Sequence, residues 1–324
     1  MRVLIIGGAG MVGRKLAERL AKDGRLGNTQ VSHLTLQDVV AADKPAGATF
    51  PVEIVTGDLS DPATAPMLIA SKPDAIFHLA AIVSGEAEVE FDKGYRINMD
   101  GTRYLLEAVR HAGNKPRLVF TSSIAVFGSP FPEKIGDEFF TTPLTSYGTQ
   151  KAIGELLLAD YTRKGFLEGV GIRLPTICVR PGKPNKAASG FFSNIIREPL
   201  AGHEANLPVP EDVRHWHASP RSAVGFLIHA ATMDTAKIGP RRNLSMPGLS
   251  VTVAEQIAAL RKVAGEKVVA RITRVPDPAI VKIVDGWPRN FETKRAESLG
   301  FKAESSFEEI VRIHIDDELG GKIA

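Results

Sequence analysis

The 324-residue sequence predicts an α/β fold built on a doubly wound parallel sheet, and three observations carry this prediction. An apolar, β-branched run at residues 1–6 breaks directly into a glycine-rich turn at residues 7–13. Leu16, Ala17 and Leu20 then recur at helical spacing. Further apolar runs alternate with helical stretches through the first half of the chain, as parallel strands joined by crossover helices require.

The glycine turn has the spacing Gly7-x-x-Gly10-x-x-Gly13 between the strand and the helix. One glycine permits the tight turn, one lets the backbone approach a pyrophosphate, and one lets the helix pack on the strand. The helix begins near Met11 and Val12, and its N-terminus offers free N–H groups to phosphates. The motif therefore predicts a dinucleotide site; taken alone, it also fits an ordinary glycine-rich turn.

Composition limits the possible functions. The chain has 40 Lys and Arg against 37 Asp and Glu, and the basic residues are scattered, so neither a nucleic-acid nor a membrane partner is expected. Cys178 is the only cysteine, which excludes an internal disulfide framework and fits a reducing compartment. The first strand starts at the N-terminus and no apolar run approaches ~20 residues, so we expect a cytoplasmic protein without signal peptide or membrane span.

The second predicted strand, residues 31–37, ends at Asp38. A carboxylate at this strand end can accept hydrogen bonds from the ribose hydroxyls of a dinucleotide and would repel a 2′-phosphate. Val39 and Val40 follow, and neither can bind such a phosphate. The sequence thus favours NAD over NADP, with a solvated loop aspartate as the alternative.

The third and fourth predicted strands, residues 52–56 and 75–79, add further cofactor contacts. Asp58 and Leu59 follow the third strand, where Asp58 can accept from the adenine amino group. Ala80 follows the fourth, where a small side chain lets the nicotinamide half pass close to the backbone. His78 lies inside the fourth apolar run and is interpreted as a core histidine, not a catalyst.

The reactive groups follow the fifth strand. Residues 118–121 form this strand, and its carboxyl end carries Ser122 and Ser123, where ligands bind in open α/β sheets. Tyr147 and Lys151 come next, at a spacing that places both on one helical face. A free tyrosine titrates near ~10, so an adjacent ammonium and a cationic nicotinamide are needed to make its phenolate available as a base.

These motifs, together with Asn98-x-x-Gly101-Thr102 in a predicted helix over residues 93–111, resemble the extended short-chain dehydrogenase/reductase superfamily. The superfamily includes nucleotide-sugar epimerases, and the resemblance covers nearly the whole chain. It implies a Rossmann domain over residues 1–175. A smaller α/β substrate domain would occupy most of residues 176–324, with some segments returning to the Rossmann core.

The resemblance also implies individual roles. Ser123 matches the catalytic serine and would orient the substrate hydroxyl, and Ser122 beside it could contact substrate. Tyr147 would be the general base, while Lys151 would lower its pKa and bind the nicotinamide ribose. Asn98 would belong to the cofactor site, and Thr176 and Ile177 would lie beside the nicotinamide amide. Phe127 departs from the family, because many members have tyrosine at this position.

The resemblance implies a homodimer as well. The helix after Tyr147 is apolar well beyond one stripe, so one face can pack on the sheet while another remains to be covered. In the family this helix and the one around Asn98 form a four-helix dimer interface. Burial by the C-terminal domain of the same chain is the alternative.

The substrate assignment rests on residues 214–221, where nucleotide-sugar enzymes carry paired acids that this chain lacks. This segment and residues 121–128 and 173–182 resemble the D-erythronate dehydrogenase family, which oxidises the C2 hydroxyl of a four-carbon sugar acid with NAD. Arg180 and Arg214 are the candidate carboxylate partners, because a guanidinium binds both oxygens. Ser84 is a candidate hydroxyl contact; Trp216 and His217 either wall the pocket or pack in the core.

Two other functions stay open at this point. One is a nucleotide-sugar epimerase or dehydratase that reduces NAD only transiently. The other is a non-catalytic NAD(P)-sensing protein, against which the intact Ser123, Tyr147 and Lys151 argue. Near the C-terminus, capping motifs at Thr252 and Ser306 predict two helices, and residues 268–273 predict a short strand.

Overall fold

The computed structural model describes residues 1–182 and 188–324. Its strands are β1 (Arg2–Ile6), β2 (Arg25–Leu26), β3 (Thr29–Gln30), β4 (His33–Asp38), β5 (Val52–Thr56), β6 (Ala75–His78), β7 (Arg117–Ser123), β8 (Glu168–Leu174), β9 (Thr176–Ile177), β10 (Ala205–Leu207), β11 (Arg214–Ala218), β12 (Asn243–Ser245), β13 (Leu249–Thr252) and β14 (Ile272–Arg274).

The helices are α1 (Met11–Asp23), α2 (Thr64–Ile69), α3 (Ser84–Val89), α4 (Phe91–Gly94), α5 (Gly101–Ala112), α6 (Ser146–Arg163), α7 (Gly190–Leu200), α8 (Pro220–Thr232), α9 (Val253–Ala264), α10 (Glu266–Val269), α11 (Pro278–Asp285), α12 (Lys294–Ser298) and α13 (Phe307–Glu318). A π-helical segment, Tyr95–Asp100, joins α4 to α5. None of the helices in this described part of the chain is long and apolar enough to cross a membrane.

Seven strands form the main sheet in the order β12-β8-β7-β6-β1-β4-β5, and every neighbouring pair is parallel. The strand order reverses at β1, which pairs with β4 on one side and with β6 on the other. In open sheets of this kind, ligands bind at the carboxyl ends of the strands beside such a reversal. The predicted α/β fold with a doubly wound parallel sheet is confirmed.

Helices cover both faces of this sheet. On one face, Leu16 and Leu20 of α1 and Phe226 of α8 lie in one buried cluster. On the other face, Leu105 of α5 and Leu158 of α6 lie in a second cluster. Burial on both faces explains why the strands read as continuous apolar runs instead of alternating ones.

The C-terminal part has its own smaller sheets and core. β10 pairs with β14, and β11 lies between β13 and β9. Helices α7, α9 and α13 pack together there around Phe192, Ile257 and Ile310. β12 returns to the main sheet by pairing with β8. The boundary near residue 175 between a Rossmann domain and a substrate domain stays a prediction.

The capping motifs behave differently from each other. The Thr252 hydroxyl accepts from Glu255 N at 3.1 Å, while the Glu255 carboxylate accepts from Thr252 N at 2.6 Å, so α9 begins with a complete capping box. At α13, Ser306 accepts from Glu309 N, but the Glu309 carboxylate bonds to the preceding residue, Ser305. The predicted strand over 268–273 is wrong at its start, because residues 266–269 form α10 and only Ile272–Arg274 is extended.

Candidate active site

The glycine turn brings three backbone segments unusually close together. Gly7 has a φ of 93°, and a Cβ placed on it would lie 2.7 Å from Ala80 N at the end of β6. A Cβ on Gly13 would lie 2.1 Å from Gly7 O, so α1 rests directly on the turn. Only glycine fits these two positions, and the turn is therefore fixed against both β6 and α1.

The N-terminus of α1 suits the diphosphate of a dinucleotide. Its N-cap, Gly10, has no side chain that could bond the first N–H groups, and the first turn carries no acidic residue. Gly10, Met11 and Val12 all line the main cleft of the molecule. Uncapped N–H groups with the positive end of the helix dipole favour an anion here, so the residues present fit the cofactor.

Asp38 lies beside this turn at the end of β4. Its carboxylate accepts from Ala9 N at 3.0 Å and from Val39 N at 2.7 Å, so it fixes the glycine turn against the end of β4. Val39 and Val40 are 60% and 59% exposed. Residues 38–40 thus offer an acid and two apolar side chains, which is a poor environment for a 2′-phosphate.

Five predicted cofactor residues do not line the cleft: Asp38, Asp58, Leu59, Ala80 and Asn98. The Asp58 carboxylate accepts from the backbone N–H and the hydroxyl of Ser60. Asn98 binds both the N–H and the carbonyl of Ile82, at 2.9 and 3.2 Å, and donates to Gln150 Oε1 at 2.8 Å. Asn98 therefore fixes a loop that lines the cleft against the helix that carries Lys151.

The main cleft has a volume of about 390 Å³ and gathers most of the predicted site residues. Those that line it are Gly7, Gly10, Met11, Val12, Gly13, Ser84, Ser122, Ser123, Tyr147, Lys151, Thr176, Ile177 and Arg180. Sequence reasoning missed several wall residues, including Leu144, Thr145, Ser189, His215, Trp287 and Pro288. Ser189, Trp287 and Pro288 lie far from the motifs in the sequence, and no local pattern marks them. Leu144 and Thr145 directly precede Tyr147, and His215 follows Arg214.

Tyr147 lies in the first turn of α6, whose N-cap Thr145 accepts from Gly148 N at 3.1 Å. This cap fixes the start of the helix opposite the end of β7, where Ser123 is the last residue. Desolvation raises the pKa of Tyr147 to about 12, and Ser123 and Arg180 act against this rise. The phenol is therefore protonated at neutral pH in the chain by itself.

Lys151 lies one turn further along α6 and is buried. Its Nζ donates to Thr121 O at 2.9 Å and lies 5.7 Å from the centre of the Tyr147 ring. Burial lowers the pKa of Lys151 to about 8, while the charge of Glu155 acts in the opposite direction. The helical spacing does bring the two side chains together, but the ammonium bonds to a backbone carbonyl and not to the phenol.

Ser122 has a partner within the protein. Its hydroxyl donates to Glu155 Oε1 at 2.6 Å, and the same carboxylate forms two bonds with Arg173, at 2.8 and 2.7 Å. The Glu155 and Arg173 side chains are 4% and 12% exposed. This ion pair and the Ser122 hydroxyl join β7, α6 and β8 behind the cleft. The sequence analysis did not predict the pair; its signal was the charged Arg173 between apolar residues of β8.

Three aromatic side chains considered in the sequence pack in the interior. His78 contacts the Thr102 hydroxyl through Nε2 at 2.8 Å, and burial lowers its pKa to about 3, so it is a neutral core residue. Trp216 donates to Met246 O and packs on Phe291. His217 is fully buried in the C-terminal core. Neither Trp216 nor His217 lines the cleft.

The two candidate arginines lie in different places. Arg180 lines the cleft, where its guanidinium donates to Ile177 O at 3.0 Å and to Ser189 Oγ at 2.8 Å. Arg214 is not among the residues that line the cleft. Its Nη1 donates to Ser250 O at 2.7 Å and lies 3.3 Å from the Glu255 carboxylate. Of the two arginines, only Arg180 therefore lines the same cleft as Ser123 and Tyr147.

The doubly wound sheet, the glycine turn and the cleft at the strand ends together define a dinucleotide-binding fold. The model of the NAD dependent epimerase/dehydratase family matches residues 3–218, more than half of the chain, and the chain belongs to this family. This family membership confirms the predicted extended short-chain dehydrogenase/reductase fold and the predicted cofactor, NAD.

Individual relatives narrow the comparison. The chain is 48% identical to a D-erythronate dehydrogenase from Cupriavidus necator over 321 residues, with 98% of each chain covered. It is 42% identical to a D-erythronate dehydrogenase from Haemophilus influenzae, with 98% of this chain and 100% of that one covered. A crystal structure described as a nucleoside-diphosphate-sugar epimerase from Agrobacterium tumefaciens superimposes with a TM-score of 0.98 and shares 67% identity, covering 100% of this chain and 96% of that chain.

Proposed function

We propose that the protein oxidises the C2 hydroxyl of a small sugar acid, D-erythronate, to the 2-oxo acid with NAD. The observation that carries this proposal is the meeting of Ser123, Tyr147 and Lys151 with Arg180 in one cleft of about 390 Å³. Two relatives that are named D-erythronate dehydrogenases support it over nearly the full length of the chain.

In the proposed reaction, each side chain has a separate task. The Tyr147 phenolate takes the proton of the C2 hydroxyl, and Ser123 donates a hydrogen bond to the same substrate oxygen. Lys151 binds the nicotinamide ribose, and its charge keeps the phenolate available as a base. NAD, held by the glycine turn and by Asp38, supplies the hydride acceptor when it is bound.

Arg180 is the proposed partner of the substrate carboxylate. A guanidinium offers a planar pair of donors that matches two carboxylate oxygens. Arg180 acts on Tyr147 electrostatically, which places its charge near the reacting end of the cleft. Its bonds to Ile177 O and Ser189 Oγ hold the guanidinium in place before substrate arrives. We therefore favour Arg180 over Arg214 for this role.

A nucleotide-sugar epimerase is the second candidate, because the Agrobacterium tumefaciens structure carries that description. The sequence argues against it, because residues 214–221 lack the paired acids that nucleotide-sugar enzymes carry in this segment.

We also propose that two copies of the chain form a homodimer through α5 and α6. Leu156 on α6 is 72% exposed in the single chain, so the C-terminal part of the same chain does not cover it. Other side chains of α6, such as Leu158, are buried against the sheet. The helix thus has an apolar residue on each of two faces, and a second copy would bury the outer one.

A substrate panel tests the proposed reaction. Purified protein is mixed with NAD and with aldonates of four to six carbons or with UDP-hexoses, and NADH is followed by absorbance. We expect NADH from D-erythronate and none from UDP-sugars. The Tyr147→Phe protein is the matched control, because it keeps the ring and loses the proposed base. The second candidate would be favoured if no acid yields NADH and epimerised UDP-sugar appears in the mixture.

A further inference from the structure

Trp287 contributes the largest side chain to the wall that the C-terminal part of the chain gives to the cleft. It follows α11, and its backbone N–H donates to Val284 O at 3.0 Å, which closes the end of that helix. Gly286 and Pro288 on either side also line the cleft. The indole is therefore presented by a short segment that is anchored at α11.

The indole is backed by a column of rings. Its centre lies 5.3 Å from that of His215, and the His215 ring stacks on Phe192 at 5.2 Å with an angle of 4° between the planes. Phe192 is fully buried in the C-terminal core. His215 Nε2 also contacts the Thr176 hydroxyl at 2.7 Å. These contacts leave the indole little room to withdraw from the cleft.

The same column connects Trp287 with the proposed carboxylate site. Arg180 and His215 both line the cleft, and the positive charge of Arg180 contributes to the lowered pKa of His215. Burial lowers the pKa of His215 to about 4, and the ring is therefore neutral near pH 7. A substrate whose carboxylate is held by Arg180 consequently has an uncharged aromatic wall beside it, with Trp287 as its bulkiest member.

We propose that Trp287 sets the upper limit on the size of the acid that the cleft accepts. This inference rests on the proposed function, since it concerns the same cleft and the same carboxylate. In this proposal Arg180 and Tyr147 hold C1 and C2 of the acid, so each carbon added beyond the fourth competes with the indole on the wall of the same cleft for space. Replacing the indole by a small side chain therefore opens the cleft to longer acids.

The test compares wild type with Trp287→Ala and Trp287→Leu on four-, five- and six-carbon aldonates. In hydrophobic pockets one methylene changes kcat/KM by roughly 10–200-fold. We expect the ratio of kcat/KM for the six-carbon acid to that for the four-carbon acid to rise by at least about tenfold in both variants. An unchanged ratio in both variants would overturn the proposal.

Two controls keep the outcome clear. Ile283→Ala removes a 49% exposed side chain of the same helix, α11, that does not line the cleft, and the ratio should stay at the wild-type value.

Trp287 and Trp216 are the only tryptophans, and Trp216 does not line the cleft. Erythronate added to the NADH complex should therefore change the tryptophan emission of wild type but not of Trp287→Phe; the same change in both would contradict the placement.

Failure of the inference differs from failure of the proposed function. A wild-type protein that oxidises no aldonate rejects the proposed reaction and the size limit with it. A wild type that oxidises erythronate, combined with Trp287→Ala and Trp287→Leu proteins that keep the wild-type ratio, rejects only the size limit.

Discussion

Replacement of Tyr147 by phenylalanine removes one hydroxyl group from the cleft and leaves the aromatic ring in place. Helix α6 should begin as before, because its cap is the bond between Thr145 and Gly148 N. Lys151 should also stay in position, since its Nζ bonds to Thr121 O and not to the phenol. The variant thus separates the loss of the proposed base from a loss of structure.

The turnover that Tyr147→Phe should lose can be estimated from the contribution of a general base and from the other titratable groups near Tyr147. A positioned general base contributes ~10²–10⁴-fold, which corresponds to ~3–5 kcal/mol at 1.36 kcal/mol for each factor of ten. We expect the upper half of this range, because the other bases nearby are weak. Burial lowers the pKa of His78 to about 3 and that of His215 to about 4.

The pH profile adds a second signature. Below its pKa of about 12, the ionised fraction of Tyr147 grows about tenfold per pH unit, whereas Lys151 loses its proton above its pKa of about 8. The fraction of protein that has both an ionised Tyr147 and a protonated Lys151 therefore rises up to a pH of about 8 and is level above it. Since Glu155 raises the pKa of Lys151, Glu155→Gln should move the start of the level region to lower pH.

The assay is steady-state oxidation of D-erythronate at saturating NAD, with NADH binding measured separately by fluorescence. Tyr147→Phe should lose turnover, keep NADH affinity and lose the rise with pH. Turnover within a factor of ten of wild type, with the pH profile unchanged, would refute the assignment of Tyr147 as the base.

Three further predictions concern cofactor choice, stability and assembly. Asp38→Ala should weaken NAD and relatively favour NADP, because the carboxylate that would repel a 2′-phosphate is gone; an unchanged ratio of kcat/KM for the two cofactors would contradict this. Glu155→Gln leaves the buried Arg173 without its ionic partner and should lower the free energy of unfolding in urea by ~3–5 kcal/mol. The double variant Glu155→Gln/Arg173→Met should be more stable than the single one, and the opposite order would argue against the pair. Leu156→Asp should convert the proposed homodimer to a monomer in light scattering at micromolar protein, and a monomeric wild type would reject the interface.

The sheet could be predicted largely from the sequence because its strands are buried on both faces. Residues 3–6 in β1 and 118–120 in β7 are continuous apolar runs for this reason. The strand prediction for residues 268–273 was wrong at its start because Val268 and Val269 favour strands in general, whereas here they lie on a helix and bury their side chains in the C-terminal core. Tertiary packing, not local strand propensity, determines the helix at this position.

The cleft was predictable where its residues share one local element. Tyr147 and Lys151 lie on the same helix, so their spacing alone brings them together. His215 and Trp287 reach the cleft only through the packing of the C-terminal part. Seven numbered elements lie between them in the chain: α8, β12, β13, α9, α10, β14 and α11. The sequence offered both Arg214 and Arg180 as carboxylate partners and favoured Arg214 slightly, because the pairing of β11 with β13, which holds Arg214 beside Thr252, cannot be read from the sequence.

The central claim is that the protein removes hydrogen from C2 of a small sugar acid and releases reduced cofactor. The most direct measurement uses D-erythronate deuterated at C2, with NAD, and follows the label by mass spectrometry. We predict one deuterium in the NADH released for each 2-oxo acid formed. Release of unlabelled NADH, or no net NADH together with epimerised UDP-glucose in the parallel reaction, would contradict the account.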